Sequence, residues 1–329
     1  MPTYEDISVP TGYILPSERT PEQQRAHALA VASMPKFGIS GSGVKTTTGS
    51  SNLDVHLYRA LTRKEVLEDI GLQFYRYHQQ TGSCVGAGLG QVLVVLSAVQ
   101  RLFAKNPTKA ALFFWLFNYG RSRWLYGWKT PGEGSFGSTA AKSVRDEGVI
   151  PINDKTRALL PAFKDAGKEG IIYSEQIEMR YSDGDIKEVM QLLTMSKEYP
   201  VGQVAELNNT AQMAESLANG YPLTIASGGH CRRVQEKEGV LIGTNSTGGG
   251  HQWAIVAVVD HPKLGRLFGN LNNWPESIYP LDPFSQWPCF YWTTERETEN
   301  TLRNEGECYS FSNFTYFPAQ PDIAVPWLI

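Results

Sequence analysis

Gln79-Gln80-Thr81-Gly82-Ser83-Cys84-Val85 sets a cysteine between a small-residue turn and a long apolar run that continues to Phe103. The run reads as a helix. Cys84 then stands at a helix N-terminus, where the positive end of the macrodipole favours thiolate, the nucleophilic form of the side chain. A nucleophilic thiol needs a base within reach, a group to orient that base, and donors for an oxyanion. Two stretches far downstream offer the base and its orienting group. Gly248-Gly249-Gly250-His251 leads into Gln252-Trp253-Ala254-Ile255-Val256-Ala257-Val258-Val259, which reads as a buried strand. Gly269-Asn270-Leu271-Asn272-Asn273-Trp274 follows a second short apolar stretch, Leu267-Phe268. His251 is the candidate base, and Asn272 orients it through its side-chain carbonyl. Trp274 would shield that hydrogen bond from water, which strengthens it.

Each residue also has a plainer reading. A buried cysteine is commonly a small hydrophobe, and a histidine after glycines or an asparagine in an Asn-rich loop suits a turn. Order and context together favour catalysis. His230-Cys231 reads as loop rather than a second dyad, because adjacent residues of an extended chain point to opposite faces. His230 could still line the cleft. His27, His56, His78 and His261 read as surface residues.

Composition narrows the function classes. The 329 residues are 41% hydrophobic and 19% charged, which allows a sizeable core. A net charge of −3 gives no reason to bind nucleic acid or an anionic membrane. The basic residues between Arg121 and Lys129 are interleaved with aromatics, as on a solvated helix face. No segment approaches the ~20 continuous apolar residues of a membrane span. The first residues lack the pattern of a secretory signal. Cys84, Cys231, Cys289 and Cys308 are widely spaced, so neither a disulfide framework nor a zinc site is expected. No metal or cofactor is implied, and a reducing, cytoplasmic compartment is the natural home.

Periodicity divides the chain. Residues 1–55 read as an extended arm rich in Pro, Gly, Ser and Thr, with a short helical pattern from Pro21 to Met34. Gly38 to Thr46 has the look of a phosphate loop, but Lys45 is misplaced and no strand precedes it. Residues 56–200 read as a helical lobe carrying the nucleophile, with helices from Arg59, Cys84, Lys109, Ser138 and Asp185. Residues 201–295 read as a β-rich lobe carrying His251 and Asn272, and residues 296–329 as a tail. The fold class is α+β with two lobes.

At these residues the chain resembles the papain-like cysteine peptidases of the C1 family, in the bacterial and viral style without a secretory propeptide. Gly82-Ser83-Cys84 stands at that family's Gly-Ser-Cys turn, Gly250-His251 at its histidine strand, and Asn272-Asn273-Trp274 at its Asn-Ser-Trp. Gly137-Ser138 through Gly148-Val149 and Leu217 through Leu223 agree with it further. The resemblance covers roughly residues 60 to 295. It implies a helical lobe against an antiparallel half-barrel, and a thiol protease hydrolysing peptide bonds through Cys84, His251, Asn272 and an acyl-thioester. The family's oxyanion glutamine falls at His78 here, so that role passes to Gln79 or Gln80. Val85 replaces an aromatic residue, and Thr81 replaces a disulfide-bonded cysteine.

The substrate would be a peptide or protein. The apolar and aromatic residues of the arm and of the tail from Phe311 to Ile329 suit docking on partner proteins. The alternative to an enzyme is a weak or inactive papain-fold assembly protein of a larger particle such as a phage virion.

Overall fold

Helix termini and glycines settle the order of the first lobe. The computed structural model describes residues 12–35, 53–71, 79–103, 108–128, 130–160, 173–274 and 278–314. Within the arm, α1 (Pro21–Ala32) starts at a Thr20 cap whose hydroxyl accepts the Gln23 N–H. Strand β1 (Asp54–His56) and a 3-10 turn lead to α2 (Lys64–Ile70). The apolar run becomes α3 (Cys84–Phe103), buried from Cys84 to Gln100. By composition α3 is long and apolar enough to cross a membrane, contrary to the expectation above, but 89% of that window is packed inside the fold. It is the core helix of the molecule.

Against it lies α4 (Trp115–Leu125), shorter than the expected Lys109–Tyr126 helix because Phe113 bridges Pro151 in extended backbone instead. A Cβ on Gly86 would stand 2.6 Å from Tyr119 Cβ, and one on Gly90 2.8 Å from Trp115 Cβ. These two glycines let α3 and α4 touch backbone to ring. Then come α5 (Gly137–Glu147), ended by Gly148 at φ 82°, α6 (Asp154–Leu159), α7 (Glu175–Tyr181) and α8 (Lys187–Ser196).

The second lobe is one sheet. Its strands are β2 (Val201–Glu206), β3 (Leu223–Lys237), β4 (Val240–His261), β5 (Gly265–Leu271), β6 (Phe290–Thr294) and β7 (Glu307–Phe314). Helix α9 (Thr210–Ala218) precedes β3, and α10 (Glu295–Arg303) links β6 to β7. The strand order is β2–β7–β3–β4–β5–β6, with β1 on β4 and a single Ile242–Trp292 pairing of β4 to β6 that curls the sheet. Glu238 and Gly239, both at positive φ, close the long β3–β4 hairpin.

Four sequence readings differ from this arrangement. The basic stretch from Arg121 is not a solvated face, because Arg121 and Arg123 are buried, the first paired with Glu147 and the second donating to the carbonyls of Ser182, Glu133 and Gly134. His230-Cys231 is strand, not loop, paired with Ser246 and Asn245 across that hairpin. His56 is buried, because β1 carries it onto the sheet beside Trp292 and Tyr58. Residues 307–314, assigned above to the tail, fill the sheet between β2 and β3, where Phe311 is buried. Residues 296–303 of that tail belong to α10, and the phosphate-loop-like stretch and residues 315–329 lie outside the described residues.

Candidate active site

Cys84 is the first residue of α3 and is wholly buried. The Ser83 carbonyl opens the helix by accepting the N–H groups of Gly86 and Ala87. His251 lies on β4 opposite Ser227 of β3. Its Nε2 is 2.8 Å from Asn272 Oδ1, and the same oxygen accepts the Asn273 N–H at 2.8 Å. A backbone N–H can only donate, so the Asn272 amide is fixed with its oxygen toward the ring, and Nε2 carries the proton. Nδ1 is then the basic nitrogen, and it is buried without a hydrogen-bond partner among the described residues.

Helix and strand are drawn together by one residue to which the sequence reading assigned no role. Asn273 Nδ2 donates to Gln252 O (2.9 Å) and to Cys84 O (3.3 Å), so Cys84 and the neighbour of His251 share a single amide. From α3, Gln91 Nε2 donates to Asn272 O at 2.8 Å. Asn272 Nδ2 donates to Tyr279 OH, which in turn donates to Cys231 O. A Cβ on Gly88 would sit 3.1 Å from Gln252 O, which marks how closely α3 approaches β4.

Aromatic rings surround His251. Trp274 stacks on His251 with centroids 4.4 Å apart and planes 21° apart, and Trp253 lies nearly parallel at 5.6 Å. His230 meets His251 edge-on at 5.6 Å. Its own Nδ1 faces Gly249 O and its Nε2 accepts from Arg232 Nε.

Among the solved structures similar to this arrangement are cysteine proteases. Xylellain, a cysteine protease from Xylella fastidiosa, is similar over 94% of this chain and 99% of its own, with a TM-score of 0.54 at 13% identity. Procathepsin B S9 from Trypanosoma congolense is similar over 92% of each chain, with a TM-score of 0.51 at 8% identity. The chain has a papain-like fold. No protein-family model and no curated protein matches the sequence.

In this papain-like fold Cys84 is covered by the chain's own residues Gly12 to Ile14. Gly12 N and Tyr13 N both donate to Gly250 O, at 3.1 and 3.0 Å. Ser135 N donates to Gly12 O, and Ile14 N to Ser135 O. A Cβ on Gly12 would lie 1.7 Å from Gly82 O, and one on Gly250 1.8 Å from Tyr13 O. Glycine is needed at both because backbone passes against backbone. Beyond the cleft, Tyr13 OH donates to Glu307 Oε1 at 2.9 Å, and Arg19 forms a buried ion pair with the same carboxylate.

Burial overrides the helix dipole here. It pushes the Cys84 thiol up to about 12, against the backbone N–H groups of Gln252, Gly12, Val85 and Tyr13 that favour its anion. Burial, then His230 beside it, holds His251 well below the ordinary histidine range, with the Asn272 bond opposing. The covered pair is therefore neutral thiol and neutral imidazole. That replaces the thiolate expected from Cys84's place at the helix start.

Of the oxyanion candidates, Gln79 is buried and donates Nε2 to Thr81 O at 3.0 Å, whereas Gln80 is exposed. His78 lies outside the described residues. Below the Cys84 turn stands a group that no sequence pattern announced, Glu178, a buried carboxylate on α7. Burial raises it, opposed by hydrogen bonds from Ser83, Thr81 and the backbone of Gln80 and Thr81.

Proposed function

We propose that the chain is a cysteine peptidase in which Cys84 is the nucleophile, His251 the base and then the acid, and Asn272 the orienting group. The observation that carries this reading is His251, whose Nε2–H is held on Asn272 so that Nδ1 is its basic nitrogen, while the backbone N–H of the next residue, Gln252, bonds the Cys84 sulfur. The thiol proton passes to Nδ1 as Sγ attacks the carbonyl carbon of a peptide bond. The tetrahedral intermediate collapses, the C–N bond breaks, and the amine leaves with the proton returned by His251. Water, deprotonated by the same nitrogen, then hydrolyses the acyl-thioester and regenerates the thiol. Asn272 keeps the proton on Nε2 throughout, and the Trp274 ring keeps water from that bond.

An extended peptide suits the cleft, since Gly250 O and the N–H and C=O of Ser135 already hold the extended backbone of Gly12 to Ile14. Turnover requires that this segment move aside. Residues 12–35 pack on their own chain, so a partner protein held by the termini would engage residues 1–11 or 315–329. Turnover of an unstructured peptide by the full chain, lost in Cys84→Ala and His251→Ala, tests the reading. A second reading, an inactive protein that keeps the fold for assembly, is favoured by the complete burial of Cys84. It predicts no turnover even when the arm is displaced.

A further inference from the structure

We propose that Glu178 is a positioning residue for Cys84, fixing the turn that presents the thiol at the start of α3; this rests on the nucleophile reading above. Glu178 is fully buried on α7, far from the turn in sequence and directly beneath it in space. Its Oε1 accepts the Gln80 N–H at 2.8 Å. Its Oε2 accepts the Thr81 N–H (2.9 Å), the Thr81 hydroxyl (2.8 Å) and the Ser83 hydroxyl (2.7 Å). One side chain thus binds four donors from Gln80, Thr81 and Ser83, immediately before the nucleophile.

An ionised carboxylate has about four acceptor positions and no donor, so the set matches its capacity. Charge-assisted bonds of this kind are roughly twice as strong as neutral ones. The remaining groups of the turn are directed the other way. Thr81 O accepts from Gln79 Nε2 and from Ser83 N (2.7 Å), and Gly82 O accepts from Tyr119 OH and Gly134 N. Ser83 joins the two systems, with its hydroxyl on Glu178 and its carbonyl on the first turn of α3. A shift of Ser83 rotates the peptide that ends at Cys84, and with it the backbone N–H that would face an oxyanion. Glu178 touches no substrate. It acts through Ser83 and Thr81.

Glu178→Gln and Glu178→Asp test this in the full chain, with Glu175→Gln, exposed on the same helix, as control. The amide introduced by Glu178→Gln would turn an NH2 toward donors that need an acceptor. Backbone hydrogen exchange at Gln80 and Thr81 should rise about tenfold or more in Glu178→Gln, as for loss of a hydrogen bond of ordinary strength. On a peptide substrate kcat should fall about tenfold or more with KM within about twofold, the pattern of a disturbed transition state. Glu178→Asp should recover part of both, and Glu175→Gln should match the parent chain. Should Glu178→Gln fail to fold, Thr81→Val and Ser83→Ala each remove one donor and should lower kcat in the same manner.

Exchange unchanged at Gln80 and Thr81, or kcat and KM moving no more than in Glu175→Gln, overturns the proposal. Should neither the parent chain nor Gly12→Ala with a reactive Cys84 show turnover, the peptidase reading falls alone. Exchange and the alkylation rate of Cys84 in the same variants then decide the role of Glu178.

Discussion

His251 and Asn272 form one hydrogen bond of 2.8 Å whose direction is set by a third residue, because the Asn273 N–H occupies the same Asn272 oxygen. The imidazole therefore has one tautomer and one basic nitrogen. On the peptidase reading Asn272→Ala should lower kcat while leaving turnover measurable, since there Asn272 only orients His251. It should also destabilise the chain by about 1–3 kcal/mol, the cost of an unpaired buried N–H. Steady-state kinetics and denaturant unfolding of the same variant check both.

Gly12 passes so close to the Cys84 turn that a Cβ on it would lie 1.7 Å from Gly82 O. Gly12→Ala should expel the arm from the cleft while leaving Arg19 and Glu307 intact. Cys84 should then alkylate with iodoacetamide many times faster at neutral pH, because the burial that pushes its thiol up to about 12 is relieved. Peptide mapping by mass spectrometry reads the rate at Cys84 directly.

Acid should loosen the same cover. Burial alone would raise the Glu307 carboxyl, but Arg19 and His27 outweigh it and hold the group below the ordinary carboxylate range. A depressed carboxylate stabilises the fold above its unfolded pKa, and that contribution is lost as pH falls through the folded one. Protection of Gly12 to Ile14 against hydrogen exchange should therefore persist through the ordinary carboxylate range and decline only below it. Tyr13→Phe, which removes one donor to Glu307, should shift the decline upward.

His56 gives a pH test of the same sign in a higher window, away from Cys84. Burial first, then the Arg59 charge, lowers it from 6.5 to about 4, against the hydrogen bond to Asp54. The unfolded chain takes up that proton near 6.5, so stability should be complete above 6.5 and fall between there and about 4. The loss should be about 3 kcal/mol in all, at roughly 1.4 kcal/mol per pH unit. Unfolding across this range, compared with His56→Gln, isolates the contribution.

The helices that were legible carried their own punctuation. Gly148 and Gly220 end α5 and the segment after α9 at φ 82°, and Asn209 caps α9 as its side chain requires. The strand from Trp253 to Val259 was legible because it is apolar on both faces, being covered by α3 on one side. Cys84, His251, Asn272 and Trp274 stood out by residue type and order, and the fold brings His251, Asn272 and Trp274 into direct contact. What could not be read was set by contacts between distant segments. Glu178 is one glutamate among many until α7 lies under the Cys84 turn. Thr81, seen only as a missing disulfide cysteine, is held by that carboxylate. His56 looked exposed because a three-residue edge strand has too little pattern to announce its pairing with β4. The thiolate expectation failed for a related reason, since the segment that buries Cys84 comes from the arm, far earlier in the chain.

On this reading Cys84 and His251 together cleave peptide bonds once the arm has left the cleft. The most direct test is turnover of an unstructured peptide by the Gly12→Ala chain, measured alone and with Cys84→Ala or His251→Ala added. Turnover is predicted in Gly12→Ala, exceeding that of the parent chain, with none above background in either double variant. Turnover that survives Cys84→Ala, or none in a folded Gly12→Ala chain whose Cys84 has become reactive, would contradict it.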